Sequence, residues 1–136
     1  MISLELARAL RAAGLRWRPA SGDRFTIDQP GLVGEVFTVA EMSIETHRFP
    51  TGTVLGFNGT VEWALDAVTL DQTVWLPRED QLRELLGGTF RSLRREDGAF
   101  LVTTAVPGRG AVEHRAPGAA DAYARALLEL IGPAAI

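Results

Sequence analysis

The chain contains no cysteine and no lysine; all 14 of its basic side chains are arginine. No thiol nucleophile, cysteine-ligated zinc or disulfide framework can exist here. A Schiff-base lysine and a phosphate-gripping P-loop lysine are excluded in the same way. Long apolar runs are also missing. The opening stretch MISLELARAL carries Glu5 and Arg8 inside what would have to be an uninterrupted apolar segment. Neither a secretory signal nor a membrane span is expected, and the cytoplasm is the default compartment.

What remains is an ordinary globular composition, 46% hydrophobic and 23% charged over 136 residues, with a net charge of −3. That length suits a single domain, read here as a helix plus antiparallel meander over 1–72 and a helix-hairpin-helix unit over 73–136 packed on it. The charge is unevenly spread: net +3 over 1–20, −6 over 21–72, +2 over 73–95 and −2 over 96–136. An acidic centre repels phosphate backbones, so no nucleic-acid partner is expected. Arg91, Arg94 and Arg95 form the exception, which reads as a solvated strand edge charged against unwanted pairing.

Periodicity supplies the elements. Ser3 is placed to cap a helix over 4–13 whose apolar face is Leu6, Leu10 and Ala13, with Gly14 ending it. From Leu15 to Leu70 the period drops toward 2. Phe25 and Ile27 alternate with polar neighbours as a half-buried strand, Gln29 to Gly34 is a turn cluster, and Val36–Val39 and Met42–Phe49 are strands. Pro50-Thr51-Gly52 can close a hairpin onto Thr53–Phe57. Asn58-Gly59 is a type I′ signal for a return strand over 60–65, while 64–70 reads equally as strand or helix. In the second half, Pro77 suits the first position of a helix with Leu82, Leu85 and Leu86 buried. Gly87-Gly88 stops that helix. Phe90–Arg95 and Ala99–Val106 flank a turn at Glu96-Asp97-Gly98, and Pro107–Gly110 leads into a short strand at 111–115. A final helix runs over 119–131 with Ala124, Leu127, Leu128 and Ile131 on its apolar face. The sum is an α+β fold, an antiparallel sheet packed by amino-terminal, middle and carboxyl-terminal helices.

Two segments, WLPREDQLRELL at 75–86 and APGAADAYARALLELI at 116–131 with a hairpin between them, resemble small uncharacterised proteins of phages and bacteria. AAGLRWRP followed by SGDRF at 21–25 is similar to that group as well. EVFTVAEMSIE and LGFNGTVEWALD are similar to a high-GC actinobacterial branch of it. The resemblance implies an α-β-α sandwich and brings no catalytic residues with it. A pilus-assembly ATPase role attached to some such proteins does not transfer to a chain without a P-loop or a lysine.

Candidate chemistry is sparse. Glu45 and His47 are the ligand-binding candidates, because strand spacing of two puts them on one face. There they could bind a small ligand, move a proton, or hold a metal with a third ligand from Glu35, Glu41, Glu62 or Asp66. Alternation equally predicts that they simply face water. Gly108-Arg109-Gly110 could wrap an anion or be a plain hairpin tip, and Glu113-His114-Arg115 is a polar triplet on an edge strand. No serine sits in a G-x-S-x-G or S-x-x-K context, so no triad is read and no catalytic residue, cofactor or metal is assigned. Trp17, Trp63 and Trp75 read as core anchors. The expectation is a non-enzymatic interaction or accessory protein with a protein partner or its own copy. A homodimer through the central sheet would use Phe49, Leu55, Phe57 or Trp63. The alternative is a small-ligand binder or metal-assisted enzyme centred on the acidic meander.

Overall fold

A computed structural model describes residues 1–32, 34–39, 44–49, 52–57 and 67–132, with the backbone alone described for 44–49, 52–57 and 67–70. The elements in chain order are α1 (Leu4–Ala12), β1 (Arg24–Ile27), β2 (Phe37–Thr38), β3 (Ile44–Phe49), β4 (Gly52–Phe57), β5 (Ala67–Thr69) and β6 (Thr73–Trp75). They continue as α2 (Glu79–Leu86), β7 (Phe90–Glu96), β8 (Ala99–Val106), β9 (Gly110–Ala116) and α3 (Ala119–Ile131). Every strand pairing is antiparallel, in three three-stranded sheets ordered β2-β1-β6, β3-β4-β5 and β7-β8-β9. The class is α+β, as the sequence implies. None of the described helices is long and apolar enough to cross a membrane.

The chain forms two compact units, Met1–Arg16 with Leu76–Ile136, and Trp17–Trp75. The first helix therefore groups with the carboxyl-terminal half, where the sequence reading had set it beside the meander. Its cap shows why. The Ser3 hydroxyl accepts from the Leu6 N–H, while the Ser3 N–H donates to Asp121 Oδ1 at 2.7 Å on α3. Ala7 and Leu10 are the buried face, and α1 packs on α3.

In this discontinuous unit α3 is the middle layer. It packs on β8 and β9 on one side and meets α1 and α2 as well. Ala120, Ala122, Tyr123, Ala124, Ala126 and Leu127 are all buried, a wider face than the single stripe of Ala124, Leu127, Leu128 and Ile131. A helix covered from two sides needs apolar residues around most of its circumference, and alanines let neighbours approach closely. Leu128 and Ile131 are only half-buried.

The middle helix differs in two details. Arg78, not Pro77, is its N-cap residue, and the Arg78 N–H donates to Gln81 Oε1 at 2.9 Å, the returning half of a capping box. Pro77 lies one residue further out and is fully buried. Leu82 and Leu86 face the core, but Leu85 is 41% exposed.

Within the Trp17–Trp75 unit, Phe25 and Ile27 of the central strand β1 are fully buried with Val39, against Trp17, Leu32 and Phe37. Thr26 is buried too, which corrects the half-buried reading. Its hydroxyl donates to Leu32 O and accepts from the Gly34 N–H, so the main chain at Leu32 and Gly34 satisfies it away from solvent. Buried Asp23 ties the entry to β1 by accepting from Trp17 Nε1 at 2.9 Å and the Ala20 N–H at 3.0 Å. In the other sheet Phe49 stands opposite Gly52, as a hairpin there requires. Val54, Leu55 and Gly56 pair on one side with β3 and on the other with Thr69, Val68 and Ala67. The described strand beside β4 is thus 67–69, followed by a 3-10 turn over Leu70–Gln72, which resolves the ambiguity at the end of 64–70. Asn58-Gly59, the expected return strand 60–65 and Trp63 lie outside the described residues.

The carboxyl-terminal hairpin turns on two residues, Asp97 (φ 51) and Gly98 (φ 74), between the opposed pair Glu96 and Ala99. Both central residues of a type I′ turn need positive φ, and this is the only described non-glycine residue that adopts it. Replacing Gly98 by valine is expected to cost about 1–2 kcal/mol, since a β-branched residue is forced into the left-handed region. Urea denaturation of wild type and Gly98→Val measures it.

Tyr123 gives a second test of the packing. Its ring centroid lies 5.7 Å from that of Phe90, whose face carries the Arg83 guanidinium at 4.5 Å. Burial raises the phenol above its usual value, with nearby Arg83 opposing and Glu79 reinforcing the shift. This is the sole tyrosine in a chain without lysine or cysteine. No lysine or cysteine titration overlaps that of the phenol. The folded protein favours the neutral phenol, so its contribution to stability is complete below about pH 10 and is lost as pH rises through the raised native value. Phenolate absorbance should therefore titrate above the free-tyrosine value. Tyr123→Phe should remove the fall in urea midpoint across that alkaline range.

Candidate functional site

A cleft lies at one end of the β7-β8-β9 sheet, between the sheet and α3. Thr104, Val106, Val112 and His114 supply its floor, Ala126, Glu129 and Leu130 its helical wall, and Thr89 and Arg109 its rim. Strand alternation explains the floor. Val112, His114 and Ala116 of β9 stand opposite Thr104, Val102 and Phe100 of β8, so these residues share the face that α3 covers. Arg109 comes from the β8-β9 loop, where its N–H donates to Val106 O at 2.9 Å and Val106 is paired with Gly110.

The polar centre is His114, whose side chain is 9% exposed, with Nε2 3.2 Å from Glu129 Oε2; Glu129 is 52% exposed. An imidazole oriented by a carboxylate can shuttle a proton, and the Arg109 guanidinium at the rim adds positive charge. Space decides what this can do. The cleft leaves about 20 Å³ for the centre of a water-sized molecule, enough to seat a water or a very small ion. The arrangement works as a latch joining β9 to the last turns of α3.

Glu113 and Arg115 point to the opposite face from His114, so the sequence triplet is not one cluster. Arg94 of β7 reaches across β8 to Glu113 at 2.8 Å and also bonds Glu96 at 3.2 Å. The two carboxylates hold the Arg94 guanidinium even more firmly protonated than usual. Arg91, Arg94 and Arg95 are exposed on outer strand β7, consistent with the edge reading. Arg91 donates to Gly88 O and Phe90 O, and Arg125 of α3 donates to Arg115 O at 2.8 Å on the other outer strand, β9.

Glu45 and His47 lie in β3, opposite Gly56 and Val54 of β4, and their spacing sets them on one face of the strand. Of the proposed third ligands, Glu35 is an exposed residue just before β2, and Glu41, Glu62 and Asp66 lie outside the described residues. Among the described residues no group of three histidine or carboxylate side chains could hold a metal. The His114–Glu129 pair was missed, although Val112 and Ala116 at spacing two on either side of His114 marked an inward-facing position. Nothing in the sequence pointed from His114 to Glu129. Compared with family models, curated proteins and solved structures, the chain matches none.

A latch between one buried and one exposed partner contributes little. Glu129→Gln is expected to change stability by less than about 1 kcal/mol at neutral pH. A loss well beyond that in urea denaturation would show that the carboxylate is needed as the partner of the buried imidazole.

Proposed function

We propose that the protein is a non-enzymatic interaction protein that binds another protein through the outer edge of β3. The reading is supported by a contrast between sheet edges. In β7-β8-β9, arginine side chains donate to main-chain carbonyls at both outer strands, which blunts those edges against further pairing. β3, six residues long, has β4 on one side and no strand on the other among the described residues. An extended segment added there would gain main-chain hydrogen bonds along its length. The Trp17–Trp75 unit carries eight acidic against three basic side chains, a net of −5. A partner with basic flanks fits that field.

The test uses proline. Successive amides along a strand point to opposite edges, so either Thr46→Pro or His47→Pro removes an outward donor without breaking the β3-β4 ladder. The immobilised full-length chain and the two variants are challenged with lysate of the source cell. Circular dichroism identifies the variant that stays folded. A protein retained by wild type should be lost with that variant. Equal retention by the folded variant would overturn the reading, as would retention of nothing.

A further inference from the structure

The inner face of β7 carries exposed apolar surface and two guanidinium groups that no carboxylate neutralises. We propose that Arg83 and Arg95, held over Phe90 and Phe100 with Leu93 between them, form a docking strip for an acidic segment of a partner protein. That segment has carboxylates on both sides of an apolar side chain. Every residue of the strip belongs to the unit made of Met1–Arg16 and Leu76–Ile136, so the proposal does not depend on the reading of β3.

Strand pairing fixes which residues share the strip. Phe90, Leu93 and Arg95 of β7 stand opposite Thr104, Val102 and Phe100 of β8, with a bulge between Phe90 and Ser92. Residues directly opposite in an antiparallel ladder share a face, here the face that α3 packs against. That helix packs chiefly on β8 and β9, and it meets β7 at one end through Tyr123 and Phe90. Burial follows. Val102 is fully buried, whereas Leu93 opposite it is 36% exposed, and Phe90 and Phe100 are only half-buried. The fold thus leaves an apolar strip open to solvent along β7.

The two cations are already held in place. The Arg83 guanidinium of α2 lies 4.5 Å from the centre of the Phe90 ring, and that of Arg95 lies 5.7 Å from the centre of Phe100. A guanidinium seated on a ring face keeps its N–H donors free around its own edge. Among the described residues neither of these two forms an ion pair. Arg94 differs, because Glu96 and Glu113 take up its charge on the opposite face of the sheet. Arg91, in the bulge, donates to Gly88 O and Phe90 O and adds a further positive charge at the Phe90 end. Glu79, one turn before Arg83 on α2, opposes it near Tyr123 without pairing to it.

Charge and apolar surface together select the occupant. Arginine and large aromatic side chains dominate the energetics of protein interfaces, and groups held before binding lose less freedom when it occurs. A phosphate backbone would engage the guanidinium groups but has nothing to lay on Leu93. The net charge of −5 on the Trp17–Trp75 unit also repels a long polyanion. A protein segment supplies both parts. Its carboxylates take the forked donors, and its apolar side chain covers the leucine. At about 3.3 Å per residue, Phe90 and Arg95 are roughly 15 Å apart, so one short segment reaches both cations.

Random peptides displayed on phage and selected against the immobilised full chain supply the probe. Selected sequences should carry acidic residues on both sides of an apolar one. One of them, synthesised and labelled, is titrated by fluorescence anisotropy. Arg83→Gln combined with Arg95→Gln should weaken its binding about tenfold or more, and Leu93→Ser about threefold or more. Circular dichroism confirms that each variant is folded. Replacing the peptide's own carboxylates by amides should cause a similar loss with the protein unchanged, a result that owes nothing to the folding of a variant. Selection of no peptide, or of peptides without flanking acidic residues, overturns the proposal. So does a selected peptide that binds the folded double variant as tightly as wild type. Duplex DNA or phosphatidylserine vesicles bound as tightly as the peptide, and lost with the same double variant, would overturn the protein partner in favour of a phosphate group.

Discussion

The burial of α3 from two sides is the constraint on which the larger unit depends. A sheet of three strands cannot enclose a core by itself, and the helix that covers it must in turn be covered. Ala120, Ala122, Ala124 and Ala126 make that possible by presenting little bulk, while Tyr123 and Leu127 fill the remaining space. Everything else in the unit attaches to this helix. Asp121 at its start receives the Ser3 N–H from α1, Tyr123 meets Phe90 of β7, Arg125 reaches Arg115 of β9, and Glu129 meets His114. Bringing the amino-terminal helix onto α3 closes the unit over a long separation in sequence, which is why Met1–Arg16 and Leu76–Ile136 group together.

That closure also explains what was legible in the sequence and what was not. Local signals held where local chemistry decides. Ser3 and Gly14 bracket α1, Asp97-Gly98 makes the turn, and α3 spans 119–131 as its period implies. Signals failed where a distant segment supplies the environment. Thr26 looks like an outward-facing strand residue until Leu32 O and the Gly34 N–H meet its hydroxyl. Leu85 completes a leucine stripe on paper, yet a helix of eight residues turns only Leu82 and Leu86 fully inward. The place of α1 is the clearest case, since an amphipathic helix states that it has a buried face without stating against what.

The candidate sites follow the same division. Glu45 and His47 were singled out by a strictly local rule, the two-residue repeat of a strand, and both fall within β3. The His114–Glu129 pair needs two elements, and the helical pattern of α3 marks Glu129 only as outward-facing. A histidine between Val112 and Ala116 on an inward face has to find a partner at the border of the core, because a buried imidazole without one leaves a polar nitrogen unsatisfied. The exposed carboxylate at the far end of α3 supplies it.

Reliance on arginine alone gives the edges of the β7-β8-β9 sheet their character. A guanidinium carries five donors in a planar fork, so one side chain can serve two acceptors at once, whereas an ammonium acts as a point charge. Arg94 uses this to hold Glu96 on its own strand and Glu113 two strands away, bracing the solvent face across β8. Arg91 uses it to take two neighbouring carbonyls, and Arg125 extends from α3 to a third. Each guanidinium adds positive charge along an outer strand of that sheet, which discourages further pairing there. The Trp17–Trp75 unit holds only Arg18, Arg24 and Arg48 against eight carboxylates, and a carboxylate cannot donate to a carbonyl at all. A carboxylate repels but does not cap.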